Sequence, residues 1–409
     1  MTGKELKFQH LETDADMEQH LQLMRTVFGQ NSRIDLLVKK WIDHHPAMTL
    51  KDFFIIQHHG KTVAALNVVP STWSIGGIPL KVAELGCVAT LPEYRHKGLQ
   101  RMLMEEYHEQ VSKQKYDLSA IEGIPYYYRQ FGYEYAIPLQ EETKIALNRI
   151  PDYHRKHTIR SFTSKDVPKA KQLLAKTQQK FYVHSIRNEE IWRMSQATGM
   201  VAEYEFEGYV VEEDGLMIVY FRTSCNPETK ELFLREMTDV DQATAQSILS
   251  FLKDMGAQHG LENLVATTSY QEPFAKILLS LGASQSRPYA WQLRVMDYAR
   301  LFLRLKQLFE KRLASSLYQG LTEKLNFNFY RYTIQMAVER GSITSVQRLE
   351  NDEDRAMRFN PLAFTQLLFG DRNREELEAI YPDFIVKTSH KHLVDILFPK
   401  LPAYIHTEY

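Results

Sequence analysis

The chain is poor in cysteine, in long apolar runs and in excess charge. Its 409 residues include two cysteines, Cys87 and Cys225, too few for a disulfide framework, which indicates a reducing compartment. No apolar run approaches the roughly 20 residues of a membrane-spanning helix, and residues 1–7 lack the apolar core of a secretion signal. The net charge of −1 excludes the basic surplus of a general nucleic-acid binder. We therefore expect a cytoplasmic protein with no nucleic-acid or membrane partner.

Motifs for metal binding are also scarce. The two cysteines lie far apart in the sequence, and the pairs His44-His45 and His58-His59 are adjacent rather than four residues apart, which is the spacing of a common helical zinc motif. We expect no metal. The apolar content of 44% and the charged content of 25% are typical of a globular protein, and the length predicts two or three domains.

The most informative segment that is present is a basic loop, Arg95-His96-Lys97-Gly98. The apolar residues 82–90 before it predict a strand, and the residues 99–111 after it predict a helix. A loop in this position offers backbone N–H groups and the positive end of a helix to a pyrophosphate. Gly98 has no Cβ and lets the backbone approach the phosphates closely. The alternative is a basic strand–turn–helix connection with no ligand.

The same residues resemble the acetyl-CoA loop of the GNAT acetyltransferases. In that family a Val-x-Val-x-Pro strand end precedes Arg-x-x-Gly-x-Gly/Ala and a helix. Thr90 here replaces the second Val, and Gln100 replaces the usual small residue. The resemblance implies that acetyl-CoA contacts Val88, Ala89, Thr90, Arg95, His96, Lys97, Gly98, Leu99, Gln100, Arg101, Tyr128 and Arg129.

Apolar periodicity divides the chain into three units. In the first, we expect one helix over 14–44 and separate strands at 62–68 and 73–75. A second unit repeats this order from about residue 159 but has an acidic segment, 238–241, where phosphates would need donors. It is interpreted as a copy without cofactor binding, the alternative being an unrelated α+β domain. The third unit begins with an amphipathic helix over 297–313.

Three units with a glycine loop only in the first resemble the Eis (enhanced intracellular survival) family. The resemblance implies an α+β fold of two tandem GNAT-like domains, the second degenerate, followed by a sterol-carrier-protein-like domain. The expected ranges are 1–150, 151–290 and 291–409. It further implies an acetyl-CoA-dependent N-acetyltransferase that acts on amines of cationic small molecules such as aminoglycosides, or on lysine side chains. A homo-oligomer, by resemblance a hexamer, is expected.

The resemblance also assigns catalytic roles. The tyrosine that follows Phe131-Gly132, Tyr133, is expected to protonate the leaving thiolate, because a phenol is protonated at neutral pH. The terminal carboxylate of Tyr409 is expected to act as the base, and Glu408 to attract the amine. The alternatives are a packing role for Tyr133 and a frayed chain end. A different class of function, a non-catalytic sensor of acyl-CoA or lipid on the same scaffold, stays open from the sequence.

Overall fold

The computed structural model describes residues 6–139, 141–287, 289–350 and 357–407, and it mixes α-helices with β-sheets. The strands are β1 (Leu6–His10), β2 (Phe53–His58), β3 (Lys61–Ile75), β4 (Ile78–Thr90), β5 (Leu118–Ile121), β6 (Glu134–Leu139), β7 (Thr143–Ala146), β8 (Thr158–Ser161), β9 (Val183–Ser185), β10 (Met200–Val201), β11 (Tyr204–Glu205), β12 (Glu207–Glu213), β13 (Leu216–Asn226), β14 (Glu231–Met237), β15 (Asn263–Ala266), β16 (Ser284–Gln285), β17 (Tyr289–Val295), β18 (Glu323–Asn328), β19 (Thr333–Glu339), β20 (Ser342–Leu349), β21 (Met357–Arg358) and β22 (Ile385–Val386). The α-helices are α1 (Asp14–Phe28), α2 (Ile34–His44), α3 (Leu99–Lys113), α4 (Val167–Gln178), α5 (Glu189–Thr198), α6 (Gln242–Gln258), α7 (Pro273–Ser280), α8 (Tyr298–Arg304), α9 (Lys306–Ala314), α10 (Pro361–Leu368), α11 (Arg374–Ile380) and α12 (Thr388–Leu397).

The first sheet has the order β1-β2-β3-β4-β5-β17-β6, and β9 pairs with the far end of β3. Its strands pair antiparallel except β4 and β5, which run parallel. The apolar residues of β2 and β3 are buried together with those of α1, α2 and α3. Helix α1 begins at Thr13, whose hydroxyl accepts from the Asp16 N–H in a capping box, an arrangement that satisfies orphan N–H groups of the first turn.

Two predictions for this unit are corrected. The single helix expected over 14–44 is two helices, because Gly29 (φ 87°) and Arg33 (φ 58°) leave the helical region. The two strands expected at 62–68 and 73–75 are one strand, β3, which runs through Pro70. Pairing with β2 reaches only to Asn67, and pairing with β9 starts at Trp73. Pro70 lies between them, so its missing N–H costs no hydrogen bond on that side.

The second sheet has the order β16-β7-β15-β14-β13-β12-β8, with a parallel pair, β14 and β15, in its middle. The two sheets exchange strands. β7 follows β6 of the first sheet along the chain but pairs with β15 in the second sheet. β17 follows β16 of the second sheet but pairs with β5 and β6 in the first sheet. This exchange crosses the ranges 1–150 and 151–290, so those boundaries stay predictions.

The third sheet has the order β20-β19-β18-β21-β22 and is packed with helices α8 to α12. The helix expected over 297–313 is two, α8 and α9, which meet at Leu305. An aromatic core that contains Phe302, Phe327 and Phe364 is continuous with Trp73 and Trp291 of the first sheet. The third unit therefore covers one face of the first sheet. Within the described ranges no helix is both long and apolar enough to cross a membrane.

Candidate active site

The first sheet splits between its two parallel strands. β4 and β5 pair only from Val82 opposite Leu118 to Glu84 opposite Ala120. Beyond these pairs a cavity of about 920 Å³ opens between the strand ends. Ligands in open sheets with parallel strands bind in such a crevice, outside the carboxyl ends of the strands. The walls come from β4, from the segment 121–131, from α1 and α2, and from the chain's last described residues, 404–407.

A bulge distorts β4 where it enters the cavity. The register passes from Ala89 opposite Ala65 to Gly86 opposite Asn67, so that Cys87 and Val88 together face a single residue of β3. Cys87 has a φ of 47°, which is unusual for a residue with a side chain. Bulges of this kind redirect a strand beside active sites, and this one takes the backbone of residues 87 and 88 out of the regular ladder. Burial raises the pKa of the Cys87 thiol, which argues against a nucleophilic thiolate.

The predicted phosphate loop lies at the mouth of this cavity. His96 (φ 61°) and Gly98 (φ 79°) both adopt left-handed backbone, the alternation that forms concave nests of N–H groups for anions. Gly98 is the N-cap of α3 and has no side chain to accept the first N–H groups of the helix. Those donors are available to an anion.

Gln100 shows how the chain tolerates a large residue after the glycine. Its Nε2 donates to Ala89 O (2.6 Å) and Thr90 Oγ1 (2.8 Å). The side chain therefore fastens α3 to the end of β4 and occupies space beneath the loop. Most of the predicted cofactor residues line the cavity: Val88, Thr90, Arg95, His96, Gly98, Leu99, Gln100, Arg101 and Tyr128.

Three predicted cofactor residues point elsewhere. Ala89 is buried at 1% exposure, so that only its backbone is available. The Lys97 ammonium donates back to Glu93 O at 2.6 Å. The Arg129 guanidinium pairs with the buried Glu134 at 2.7 Å. None of these three side chains lines the cavity as the structure describes it.

The structure places Tyr133 inside the domain rather than in the cavity. The side chain is fully buried, and its hydroxyl lies 2.7 Å from Ser119 Oγ and 3.1 Å from His108 Nε2. Burial raises the pKa of Tyr133 to about 12. Tyr133 is not among the described residues that line the cavity. This geometry favours the packing alternative, and the acid role of Tyr133 stays a prediction.

Tyr128 is the tyrosine of this segment that does line the cavity. Its ring packs edge-on against Tyr127 and Tyr133 and lies so close to Gly123 that a Cβ there would overlap it. Burial, followed by the neighbouring tyrosines, raises the pKa of Tyr128, which keeps the phenol protonated. Sequence reasoning selected Tyr133 from its position after Phe-Gly, whereas the 3-10 turn Tyr127–Phe131 brings Tyr128 to the cavity.

Four carboxylates that sequence reasoning missed also line the cavity: Glu84, Glu122, Glu142 and Glu203. Glu84 lies on β4, and Glu122 directly follows β5. Glu203 is at the tip of the hairpin β10–β11, which reaches in from the second unit. Glu122 is exposed to the open cavity, where the surrounding protein walls partly desolvate its carboxyl. This desolvation, and then the charge of Glu203, raise the pKa of Glu122 to about 7. The available signal in the sequence is an acidic residue, Glu122, directly after the mostly apolar run 118–121.

The C-terminal residues 404–407 lie beside the cavity and are bound there by residues of the second unit. Tyr404 N donates to Val183 O at 3.0 Å, and Ser185 Oγ donates to His406 O at 2.9 Å. Thr407 O accepts from two buried arginines, Arg187 (2.6 Å) and Arg222 (3.0 Å). Residues 404–407 thereby become part of the cavity wall. The predicted base, Tyr409, and the predicted substrate residue, Glu408, lie outside the described residues.

A buried ion cluster fixes the arginines that hold the tail. Arg187 donates twice to Glu236, at 3.0 and 2.6 Å, and Arg222 lies 3.4 Å from the same carboxylate. Burial alone would raise the pKa of Glu236, but the two guanidinium groups lower it to about 2. The carboxylate is therefore ionised throughout the neutral range. Among the described residues no cluster of three or more side chains is arranged to hold a metal.

A split parallel pair, a bulged strand and an uncapped helix N-terminus are the features of an acyl-CoA-binding GNAT fold. Residues 10–136 match the family model described as an acetyltransferase (GNAT) domain. The chain thus carries a GNAT domain, and the protein is an acetyltransferase. No curated protein matches the chain in sequence.

Solved structures share the architecture over the whole length. A GCN5-related N-acetyltransferase from Anabaena variabilis is 15% identical with a TM-score of 0.74, covering 99% of this chain and 100% of its own. A probable N-acyltransferase from Enterococcus faecalis is 16% identical, with the same TM-score and coverage. Eis1 from Mycobacterium abscessus is 13% identical with a TM-score of 0.64, covering 98% and 100%. At these identities the likeness shows the fold.

Proposed function

We propose that the protein transfers an acetyl group from acetyl-CoA to a primary amine of a cationic small molecule or a lysine side chain. The observation that carries this proposal is the charge pattern of the cavity. Arg95 and Arg101 lie at the phosphate-loop end. The other walls carry four carboxylates, Glu84, Glu122, Glu142 and Glu203, against one arginine, Arg235, among the described lining residues. One end suits a diphosphate and the other a cation.

Acetyl transfer to an amine requires a polarised carbonyl, a neutral amine and a proton for the leaving thiolate. In the proposed mechanism the backbone freed by the β4 bulge at Val88 donates to the thioester oxygen. Glu122 accepts the proton of the attacking amine, directly or through a water. Tyr128 donates its phenolic proton to the sulfur as the C–S bond breaks, and the products are an amide and CoA.

Tyr409 is a second proposed base, which rests on resemblance to the Eis family. The docking of residues 404–407 supports it, because Thr407 is part of the cavity wall and is held there by Arg187. Glu408 would then add to the acidic wall. A C-terminal tag converts the Tyr409 carboxylate to an amide, and an N-terminal tag leaves it free. If Tyr409 is the base, the C-terminal tag alone abolishes turnover while CoA binding persists, whereas full turnover of that protein would assign the role to Glu122.

The function is tested by thiol release from acetyl-CoA with a panel of amines at one pH. We expect polyamines, aminoglycosides or lysine peptides to support turnover, and amines that carry a carboxylate to fail. Replacing both Glu122 and Glu203 with Gln should remove this preference, whereas Glu228→Gln, in an exposed turn, should not. Equal rates with cationic and anionic amines would contradict the proposed substrate class.

The whole-chain likeness to Eis1 supports two further proposals. The third unit would be the sterol-carrier-protein-like domain of an Eis-type chain, and the protein would assemble as a hexamer in the cytoplasm. Light scattering after gel filtration measures the assembly directly, and a monomer would contradict the second proposal.

A further inference from the structure

A second depression lies outside the cavity, between the first and third units. This groove, of about 840 Å³, is lined by α3, by the turn 129–132 and by residues of the third unit. Four arginines line this arginine groove: Arg101, Arg129, Arg294 and Arg331. No step of the proposed mechanism uses it.

The positive charge of the groove is only partly balanced. Arg129 is neutralised by Glu134, and Glu105 is the carboxylate among the lining residues. Arg294 donates to Phe131 O at 2.7 Å and lies 2.9 Å from His108 Nδ1. Arg331 is exposed in the β18–β19 connection. Among the described residues neither Arg294 nor Arg331 has an ion-pair partner, so the groove favours an anion.

His108 does not supply the missing negative charge, and it does not add a positive one. Burial, together with the charge of Arg294, lowers the pKa of His108 to about 3. The imidazole is neutral at physiological pH and serves as a partner for Arg294. The groove therefore keeps an excess of positive charge through the neutral range.

The groove is continuous with the cofactor cavity. Arg101, Gln130 and Phe131 line both depressions. Arg101 is the third residue of α3, directly beyond the phosphate loop, and its Nη2 donates to Gln130 Oε1 at 3.0 Å. A diphosphate bound at the loop would therefore have the cavity on one side and the groove on the other, so that the groups attached to its two ends can lie in different depressions. Phe131 and Tyr332 add aromatic surface on the groove side.

Coenzyme A carries an adenosine with a 3′-phosphate on the side of the diphosphate away from the thioester. We infer that the arginine groove binds this 3′-phosphoadenosine end, and that Arg294 and Arg331 recognise the 3′-phosphate. Both arginines lie outside residues 10–136, which match the acetyltransferase domain. The third unit would thereby complete the cofactor site. This inference rests on the proposed use of acetyl-CoA.

The test compares CoA with 3′-dephospho-CoA by titration calorimetry. Charge-assisted hydrogen bonds to a phosphate predict that the wild-type protein binds CoA roughly 10- to 100-fold more tightly. Arg331→Gln and Arg294→Gln should lose most of this preference, with the affinity for dephospho-CoA unchanged. The matched control is Arg340→Gln, in the exposed turn between β19 and β20, which should retain the wild-type preference.

Four outcomes would overturn the inference. Equal wild-type affinities would show that the 3′-phosphate is not bound, and equal weakening of both ligands in Arg331→Gln would place another part of CoA there. If inorganic phosphate stabilises only the wild-type protein while both cofactors bind alike, the groove is a separate phosphate site. Absence of any CoA binding to the wild-type protein would overturn the proposed function as well. Because Arg331 is exposed, its variant is expected to fold even if Arg294→Gln does not.

Discussion

At the scale of the residue, the chemistry of the site depends on which polar side chains face the cavity, because a polar side chain nearby in the sequence can instead be buried in the domain. Tyr128 and Tyr133 are five residues apart in one aromatic segment. The Tyr133 hydroxyl is bound by Ser119 and His108, whereas Tyr128 lines the cavity. Among the described residues, the Tyr128 hydroxyl makes no hydrogen bond to another side chain. A general acid must be within reach of the leaving group, and of these two tyrosines Tyr128 is the one that lines the cavity proposed to hold the thioester.

Removing the Tyr128 hydroxyl should therefore lower kcat. A positioned acid contributes roughly 10²- to 10⁴-fold, and we expect a loss in that range for Tyr128→Phe, with a small change in the KM for acetyl-CoA. Tyr133→Phe is the matched control. It breaks buried hydrogen bonds and should cost about 1 kcal/mol of stability with little effect on kcat. A larger kcat loss in Tyr133→Phe than in Tyr128→Phe would restore the role predicted from the sequence.

Glu122 should give the rate a specific pH dependence. Its pKa of about 7 lies above the ordinary value of 4.5 because the cavity walls desolvate the carboxyl and because Glu203 lies nearby. A base acts when deprotonated, so kcat/KM should rise with pH through about 7. Glu203→Gln removes a negative charge and should shift this rise to lower pH, and Glu122→Gln should remove it. The amine also loses a proton as pH rises, so the shift in Glu203→Gln is the decisive measurement, and its absence would exclude Glu122.

At the scale of the element, the phosphate loop acts through its backbone. Its anion-binding N–H groups belong to residues around two left-handed positions, His96 and Gly98. A Cβ added at Gly98 would meet nothing within 4 Å, so a side chain there would project into open space. A substitution at Gly98 is therefore a test of ligand binding rather than of packing.

Gly98→Glu should abolish acetyl-CoA binding, because it places a carboxylate beside the expected diphosphate. Gly77→Glu is a close control. Gly77 also has a positive φ (88°) and open space around its Cβ position, but it lies in the turn between β3 and β4. Both variants carry the same left-handed strain, about 1–2 kcal/mol, and should lower the melting temperature alike. Calorimetric binding in Gly98→Glu equal to that in Gly77→Glu would refute the loop assignment.

At the scale of the whole molecule, the second unit holds the tail in place. Arg187 is 2% and Glu236 is 1% exposed in their side chains, and Arg187 also donates to Thr407 O. The docked tail thus depends on an ion cluster in a different unit from the phosphate loop. A change there should affect both the stability and the shape of the cavity.

Replacing Arg187 with Met should destabilise the fold strongly. Removing one partner of a buried pair leaves an uncompensated charge and costs about 3–5 kcal/mol. The matched control is Arg193→Met, which breaks an exposed pair with Glu189 on α5 and should cost less than about 1 kcal/mol. Thermal melts of the two variants measure the difference, and similar melting temperatures would show that the cluster contributes little.

The sequence by itself determined the local elements whose signals are short-range. The strand predicted at 82–90 and the helix predicted over 99–111 are confirmed as parts of β4 and α3. A buried strand shows as an apolar run, and an amphipathic helix shows by the spacing of its apolar residues. The glycine loop between strand and helix was visible for the same reason. The acetyltransferase activity was implied by the resemblance of these residues to the GNAT loop, and it is supported by the match of 10–136 to a GNAT domain.

Only the tertiary structure decided which side chains meet. The strand exchange of β7 and β17, the entry of Glu203 on a hairpin of the second unit and the docking of residues 404–407 join segments more than 100 residues apart. No local periodicity records such pairings. The proposed role of Tyr128 in place of Tyr133 likewise rests on the structure, because the 3-10 turn Tyr127–Phe131 places Tyr128 in the cavity wall and Tyr133, just beyond the turn, is fully buried.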